Sequence, residues 1–230
     1  MEKTVSAVLV AAGSSTRMGF DKLSFDLGGE TVLHRSIRAF AQCPQVTELV
    51  LVAGKNRDFV AQQAADCPKP VQIVVGGATR AESAKNGVLA AHGELVAVHD
   101  AARPFVSAVV ITAALEAAAR CGAAAPAVPV KDTIKIVDEE QYSVSTPDRK
   151  VMWQMQTPQC FRLPEIREAY RRMLESGDNT MTDDAMVMEK YGSRRVKMTM
   201  GSYENIKLTT PGDFILGEAI LKNMNKAQKP

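Results

Sequence analysis

Near the amino terminus an apolar run, residues 5–11, empties into Ala12, Gly13, Ser14, Ser15, Thr16 and Arg17, with Lys22 close behind. Small residues let backbone N–H groups approach phosphate oxygens, and Arg17 with Lys22 adds fixed positive charge that one polyphosphate could span. Two familiar phosphate loops fail on spacing. Five residues lie between Gly13 and Gly19 and Phe20 follows, whereas a Walker A loop needs four and then Gly-Lys-Ser/Thr. A dinucleotide fingerprint needs glycine where Ser15 stands. The same residues would also suit an ordinary strand-to-loop turn with surface cations, so the rest of the chain has to decide.

Two later segments carry complementary chemistry. In the run His99, Asp100, Ala101, Ala102, Arg103, Pro104, an aspartate at a strand's carboxyl end is a hard oxygen ligand for a Mg²⁺ ion that bridges phosphates. An Asx turn or an ion pair with Arg103 is the competing use of Asp100, and His99 reads as structural rather than as a base. Gly76 and Gly77, followed by Ala78, Thr79, Arg80 and Ser83, permit close approach of a flat ring beside a helix start, which suits a nucleobase. A turn with Thr79 as helix cap is compatible with that use.

The elements that would position these loops alternate. Strands are expected over 5–11, 48–53, 72–75, 95–99 and 124–130, and helices over 32–42, 58–65, 81–91 and 107–120. This alternation implies a mainly parallel sheet with helices on both faces. Such sheets bind ligands outside the carboxyl ends of their strands, so the loops after Ala11, Val75 and His99 should share one crevice. Between about 131 and 150, β-branched and charged residues alternate around a turn at 138–141, which reads as a projecting hairpin. A lone two-stranded ribbon is marginal in water, so this arm is expected to dock on its twin in a homodimer. Beyond it, helices are expected over 164–176, 182–191 and 211–223, short strands over 195–199 and 206–208, and a frayed polar tail from 225. One domain, 1–230, with an arm is the economical description.

Composition narrows the classes. The chain has 230 residues, 46% hydrophobic and 23% charged, with a net charge of +2, which offers no polycation suited to nucleic acid. Cys43, Cys67, Cys121 and Cys160 are scattered without Cys-x-x-Cys spacing, which speaks for reduced thiols in a cytoplasmic protein and against zinc or disulfides. No apolar segment approaches the ~20 residues of a membrane span, and no export signal is visible.

Taken in order, Ala11-Ala12-Gly13 with Arg17 and Lys22, Gly76-Gly77 with Arg80 and Ser83, the run from His99 to Pro104, Lys131-Asp132-Thr133, Gln156-Thr157-Pro158-Gln159 and Glu204-Asn205-Ile206-Lys207 resemble the 2-C-methyl-D-erythritol 4-phosphate cytidylyltransferase family. The resemblance implies a single Rossmann-like α/β nucleotidyltransferase domain with a β-arm for dimerisation. It also implies Mg²⁺-dependent transfer of CMP from CTP to 2-C-methyl-D-erythritol 4-phosphate. By position, Arg17, Lys22 and Lys207 match the family's phosphate-stabilising cations. Ala12, Gly13, Gly76 and Ser83 match cytidine contacts, and Ala11, Ser14, Arg80 and Ala101 are further substrate-binding candidates. Thr133 and Arg149 match arm residues that reach the partner's polyol phosphate, and Thr157 matches another residue on that side; Asp100, the metal candidate above, and Arg103 are further substrate-binding candidates. Ser15, Asp21 and Ala78 depart from the usual pattern, and the spacing from Arg17 to Lys22 is short. A ribitol 5-phosphate cytidylyltransferase shares the first loop and the His-Asp-x-x-Arg-Pro run, and a non-catalytic nucleotide-binding module is the alternative of another class.

Overall fold

The computed structural model describes residues 3–13, 21–178 and 180–227. Ser14, Ser15, Thr16, Arg17, Met18, Gly19 and Phe20, the middle of the first loop, lie outside them.

Five β-strands and four helices alternate through the first half: β1 (Val5–Val10), α1 (Val32–Ala41), β2 (Val46–Ala53), α2 (Arg57–Gln63), β3 (Val71–Val75), α3 (Arg80–Ala90), β4 (Leu95–Asp100), α4 (Ala108–Cys121) and β5 (Ala123–Pro129). The arm holds β6 (Ile136–Val137) and β7 (Ser143–Ser145), followed by a 3₁₀ turn over Arg149–Val151. Then come β8 (Trp153–Met155), β9 (Gln159–Arg162), α5 (Leu163–Ser176), α6 (Asp184–Tyr191), β10 (Lys197–Met200) and α7 (Pro211–Ala227).

The strands form one sheet in the order β10-β5-β9-β4-β1-β2-β3, with β8 joined to β5, and a separate two-stranded ribbon of β6 and β7. β1 pairs in parallel with both β2 and β4. The chain therefore leaves β1 on one side for β2 and β3 and returns on the other as β4, which opens a crevice at the carboxyl ends of β1 and β4. In that register Val10 lies opposite Asp100. β9 runs antiparallel to β4 and β5, and β8 antiparallel to β5.

Strand alternation divides the core into two layers. Val5, Ala7, Leu9, Leu49, Leu51, Leu95 and Ala97 face α1, α4 and α7, where Leu33, Ile37, Phe40, Ile111, Leu115 and Ile220 are buried. Val8, Val50, Val52, Val96 and Val98 face α3, α5 and α6. Buried on both faces, the central strands read as nearly continuous apolar runs, which is why they were legible from sequence. On the second face Gly87 brings α3 unusually close. A Cβ there would meet Val8 Cγ1 at 2.3 Å and Val52 Cγ2 at 2.8 Å, so no larger residue fits without displacing the helix.

Helix ends follow local chemistry. The Thr31, Thr79 and Ser107 hydroxyls accept from the N–H groups of His34, Glu82 and Val110, capping α1, α3 and α4. Gly122, at φ 91°, closes α4 in the left-handed conformation glycine favours.

Two expectations are corrected. Residues 206–208 form no strand, because the Leu208 N–H goes to the Ala102 carbonyl at 2.9 Å and the segment serves as a loop against the crevice. Helix α7 continues to Ala227, so residues 225–227 are helical rather than frayed. The antiparallel strands β8 and β9 were not anticipated. β9 follows directly on the Gln156-Thr157-Pro158 run, where a three-to-four-residue strand is too short to show periodicity. The four cysteines are free, and among the described residues no helix is long and apolar enough to cross a membrane.

Candidate active site

The crevice at the switch point contains a cavity of about 190 Å³ lined by Arg80, Asp100, Arg103, Met155, Gln156, Thr157, Gln159, Thr182, Asp183 and Lys207. Its centre is the Asp100 carboxylate at the end of β4. Oδ1 accepts from Arg80 Nε at 3.2 Å, Oδ2 pairs with Lys207 Nζ at 2.8 Å, and Arg103 Nε stands 3.9 Å from Oδ2. Burial alone would raise the Asp100 pKa, but Arg80, then Lys207 and Arg103, outweigh it and hold the carboxyl well below the usual carboxylate range. Asp100 is ionised throughout the working pH range and gathers three cations into one cluster.

Each cation comes from a different element. Arg80 is the first residue of α3, whose amino end is fixed by Thr79 and by Glu82, which accepts from the Ala78 N–H at 2.7 Å. Arg103 follows the β4 turn and donates through Nη1 to the Asn205 carbonyl at 2.7 Å. Lys207 sits on the loop that Asn205 anchors, since Asn205 Nδ2 donates to the Thr157 carbonyl at 3.0 Å. Arg80 also donates through Nη2 to Asp184 Oδ2 at 2.9 Å. Burial opposes its charge, but Asp184 and then Asp100 raise its pKa, so it stays protonated.

Beneath the carboxylate lies a neutral relay. The Asp100 N–H donates to Thr157 Oγ1 at 3.2 Å, and Thr157 Oγ1 lies 2.9 Å from His99 Nδ1. His99 Nε2 lies 3.2 Å from the Arg103 carbonyl, which can only accept, so Nε2 carries the proton and the Thr157 hydroxyl donates to Nδ1. His99 is fully buried against Phe40, and desolvation lowers its pKa to about 4. Both ring nitrogens are engaged, which makes it a brace for Asp100 and agrees with the structural reading of this residue.

The first and third loops meet beside this cluster. A Cβ on Gly76 would lie 2.4 Å from Ala12 Cβ and 3.0 Å from Ser83 Oγ, so glycine is what lets the two loops touch. The Ser83 hydroxyl accepts from the Gly77 N–H at 3.1 Å. The Ala11 carbonyl accepts from Asn56 Nδ2 at 3.1 Å. Among the described residues nothing lies within 4 Å of a Cβ built on Gly13. Ala101 is fully buried, its N–H on the Val10 carbonyl and its carbonyl on the Ser36 hydroxyl.

Sequence reasoning thus named Arg80, Asp100, Arg103, Thr157 and Lys207, which converge in one cavity, and Ala11, Ala12, Gly13, Gly76 and Ser83, which form the loops around the crevice. Ser14 and Arg17 lie outside the described residues, and Lys22 is half-buried. Thr133 and Arg149 are exposed on the arm and do not line this chain's own cavity. There Arg149 Nη1 donates to the Lys131 carbonyl at 2.7 Å. Thr182, Asp183 and Asp184 were missed, because paired acids before a helix look like a cap. Asp183 does cap α6, accepting from Met186 N–H at 2.8 Å, but nothing in the sequence marks Asp184 as buried.

The donor set also bounds what metal could bind. Among the described residues no three His, Cys, Asp or Glu side chains are grouped to hold an ion. A single hard carboxylate among cations fits Mg²⁺ that shares its coordination with phosphate oxygens, and does not fit an all-protein cage.

Comparison with known proteins bears on the family and the fold. A profile of the family described as "IspD: 2-C-methyl-D-erythritol 4-phosphate cytidylyltransferase" matches residues 5–223. A protein of that name from Caldanaerobacter subterraneus is 41% identical over 226 residues, covering 95% of this chain and 99% of its own. Another from Symbiobacterium thermophilum is 42% identical over 228 residues, with 96% and 94% covered. Among solved structures, the 4-diphosphocytidyl-2C-methyl-D-erythritol synthase of Anaerococcus prevotii superposes with a TM-score of 0.87 at 32% identity, covering 96% of this chain and all of that one. The 2-C-methyl-D-erythritol 4-phosphate cytidylyltransferase of Thermus thermophilus gives 0.76 at 33%, with 94% and 98% covered.

The His99 relay makes a stability prediction. The side chain's pKa is 6.5 when free and about 4 when folded. Above pH 6.5 neither state is protonated and the fold is at full strength. As pH falls from 6.5 to about 4, the unfolded chain binds a proton the native one refuses, and stability drops by on the order of 3 kcal/mol. The Asp100 contribution acts lower, being lost below its free value of 3.8. Urea denaturation at several pH values should show the upper phase in the wild type and not in His99→Gln; identical pH profiles would contradict this assignment.

Proposed function

The chain belongs to the 2-C-methyl-D-erythritol 4-phosphate cytidylyltransferase family, and on that footing we propose that it transfers CMP from CTP to 2-C-methyl-D-erythritol 4-phosphate, releasing pyrophosphate and forming 4-diphosphocytidyl-2-C-methyl-D-erythritol. The observation that carries this reading is the Asp100 cluster: Arg80, Arg103 and Lys207 around one carboxylate, at the sheet's switch point and beside a glycine-lined loop.

The chemistry needs little else. A phosphomonoester has a second pKa near ~6, so the attacking oxygen is anionic at neutral pH and requires no general base. That suits a crevice whose histidine is buried, neutral and fully hydrogen-bonded. The barrier is the meeting of two anions, the polyol phosphate and the α-phosphate of CTP. It is lowered by alignment and by positive charge held where negative charge accumulates. Lys207 and Arg103 supply that charge from the Asp100 side, and Lys22 with Arg17 supplies it from the first loop. The touching Ala12 and Gly76 leave a flat, small-residue wall that suits the cytosine ring. Asp100 would hold Mg²⁺ together with the triphosphate, and the ion would neutralise phosphate charge.

The arm supports a homodimer. Ile136, Val137, Tyr142, Val144 and Val151 are all exposed on and beside a two-stranded ribbon separate from the main sheet. We read this apolar surface as docking on a second copy, with Thr133 and Arg149 completing the neighbour's polyol phosphate site.

Parallel pyrophosphate-release assays with CTP, Mg²⁺ and either methylerythritol phosphate or ribitol 5-phosphate test the substrate. Preferential turnover of the first is expected. Preference for ribitol phosphate would reassign the substrate, and nucleotide binding without turnover would leave only a binding module. Mixing subunits tests the arm. Lys22→Ala should lower turnover by about 10²–10³, Arg149→Ala should be similarly impaired, and hybrids of the two should regain activity in proportion to subunit exchange. Exchange without recovery would rule out shared sites.

A further inference from the structure

Arg80 is held from two sides. Nε is on Asp100 at the end of β4, and Nη2 is on Asp184 at the start of α6. Asp184 is fully buried, and its other oxygen, Oδ1, accepts from the hydroxyl of Tyr170, itself buried in α5. Nothing in the reaction requires a carboxylate there. Burying one is costly unless it is paired, so the position calls for a reason.

The surroundings supply one. α6 is clamped to the sheet by Gln159 of β9, whose Nε2 donates to Asp183 Oδ2 at 2.8 Å and whose Oε1 accepts from the Ala185 N–H at 2.7 Å. Gln159 lies opposite Val98 of β4. The two carboxylates that grip Arg80 are thereby fixed relative to each other. The third guanidinium nitrogen, Nη1, is buried and has no hydrogen-bond partner among the described residues, on a side chain that lines the cavity. An arginine with two of its three nitrogens tied down presents the third in one direction.

We propose that Asp184, backed by the Tyr170 hydroxyl, is a positioning residue for the cytidylyl transfer: it fixes Arg80 so that Nη1 is presented to the incoming nucleotide. The proposal rests on the cytidylyltransferase reading and adds a residue outside the cavity wall. Asp184 acts through Arg80 alone, and so its replacement should weaken use of the nucleotide while sparing the polyol phosphate.

A double-mutant cycle tests this, reading KM and kcat for both substrates together with thermal melting. Asp184→Asn, which keeps the shape and removes the charge, should raise KM for CTP about tenfold. KM for methylerythritol phosphate should stay within about twofold. The Asp184→Asn, Arg80→Ala double variant should be no worse than Arg80→Ala alone. Should Asp184→Asn fold poorly, Tyr170→Phe supplies the second reading: a smaller rise in KM for CTP that disappears in the Arg80→Ala background. Additive losses, or equal losses for both substrates, would overturn the positioning role. A wild type that turns over no CTP would overturn the cytidylyltransferase reading and this proposal with it, an outcome distinct from an active enzyme with additive variants.

Discussion

Three cations cannot be packed into one buried corner unless something negative stays among them, and in this protein that is the Asp100 carboxylate. Arg80, Arg103 and Lys207 come from α3, the β4 turn and the loop after β10, and without a common counterion their repulsion in a low-dielectric crevice would drive them apart. Asp100 is mostly buried, so the attraction is little screened by salt, and its charge survives burial because the surrounding cations stabilise it. The result is a preorganised positive cluster. Such a site need not rearrange as a highly charged substrate arrives, which is how electrostatic catalysis gains over water.

The fold can be understood as support for that carboxylate. Parallel pairing of β1 with β4 sets Asp100 beside the end of the first loop. β9, antiparallel on β4's other side, brings Thr157 and Gln159 into the same crevice. Thr157 and His99 hold the Asp100 backbone from below, while Asn205 ties the Lys207 loop to Thr157. Most polar groups buried here have a partner among the described residues, and the exceptions are informative. Among the described residues Arg80 Nη1, Arg103 Nε and Asn205 Oδ1 have no hydrogen-bond partner, and all three lie on residues that form or anchor the crevice, where such donors and acceptors are open to a ligand.

Much of this was legible in the sequence because it rested on local signals. The βα alternation revealed the parallel sheet, and the Gly-rich and Asp-bearing loops pointed to the crevice. What escaped depended on contacts between distant residues. β8 and β9 are too short for periodicity, and their pairing is set by β4 and β5 rather than by their own composition. Residues 206–208 carry strand-like residues but are captured by a backbone bond to Ala102. Asp184 looks like half of a helix cap, since only the packing of α5 and α6 on β9 reveals that it is buried and turned toward Arg80. Thr133 and Arg149, in turn, were recognised by resemblance. Both are exposed on the arm.

The account stands most directly on the Asp100 charge. Steady-state pyrophosphate release with CTP, Mg²⁺ and methylerythritol phosphate, compared between the wild type and Asp100→Asn at matched folded fraction, measures it. The predicted result is an active wild type and a fall of about 10²–10³ in kcat/KM for the variant. Undiminished turnover by folded Asp100→Asn would show that the cation cluster does not depend on this carboxylate.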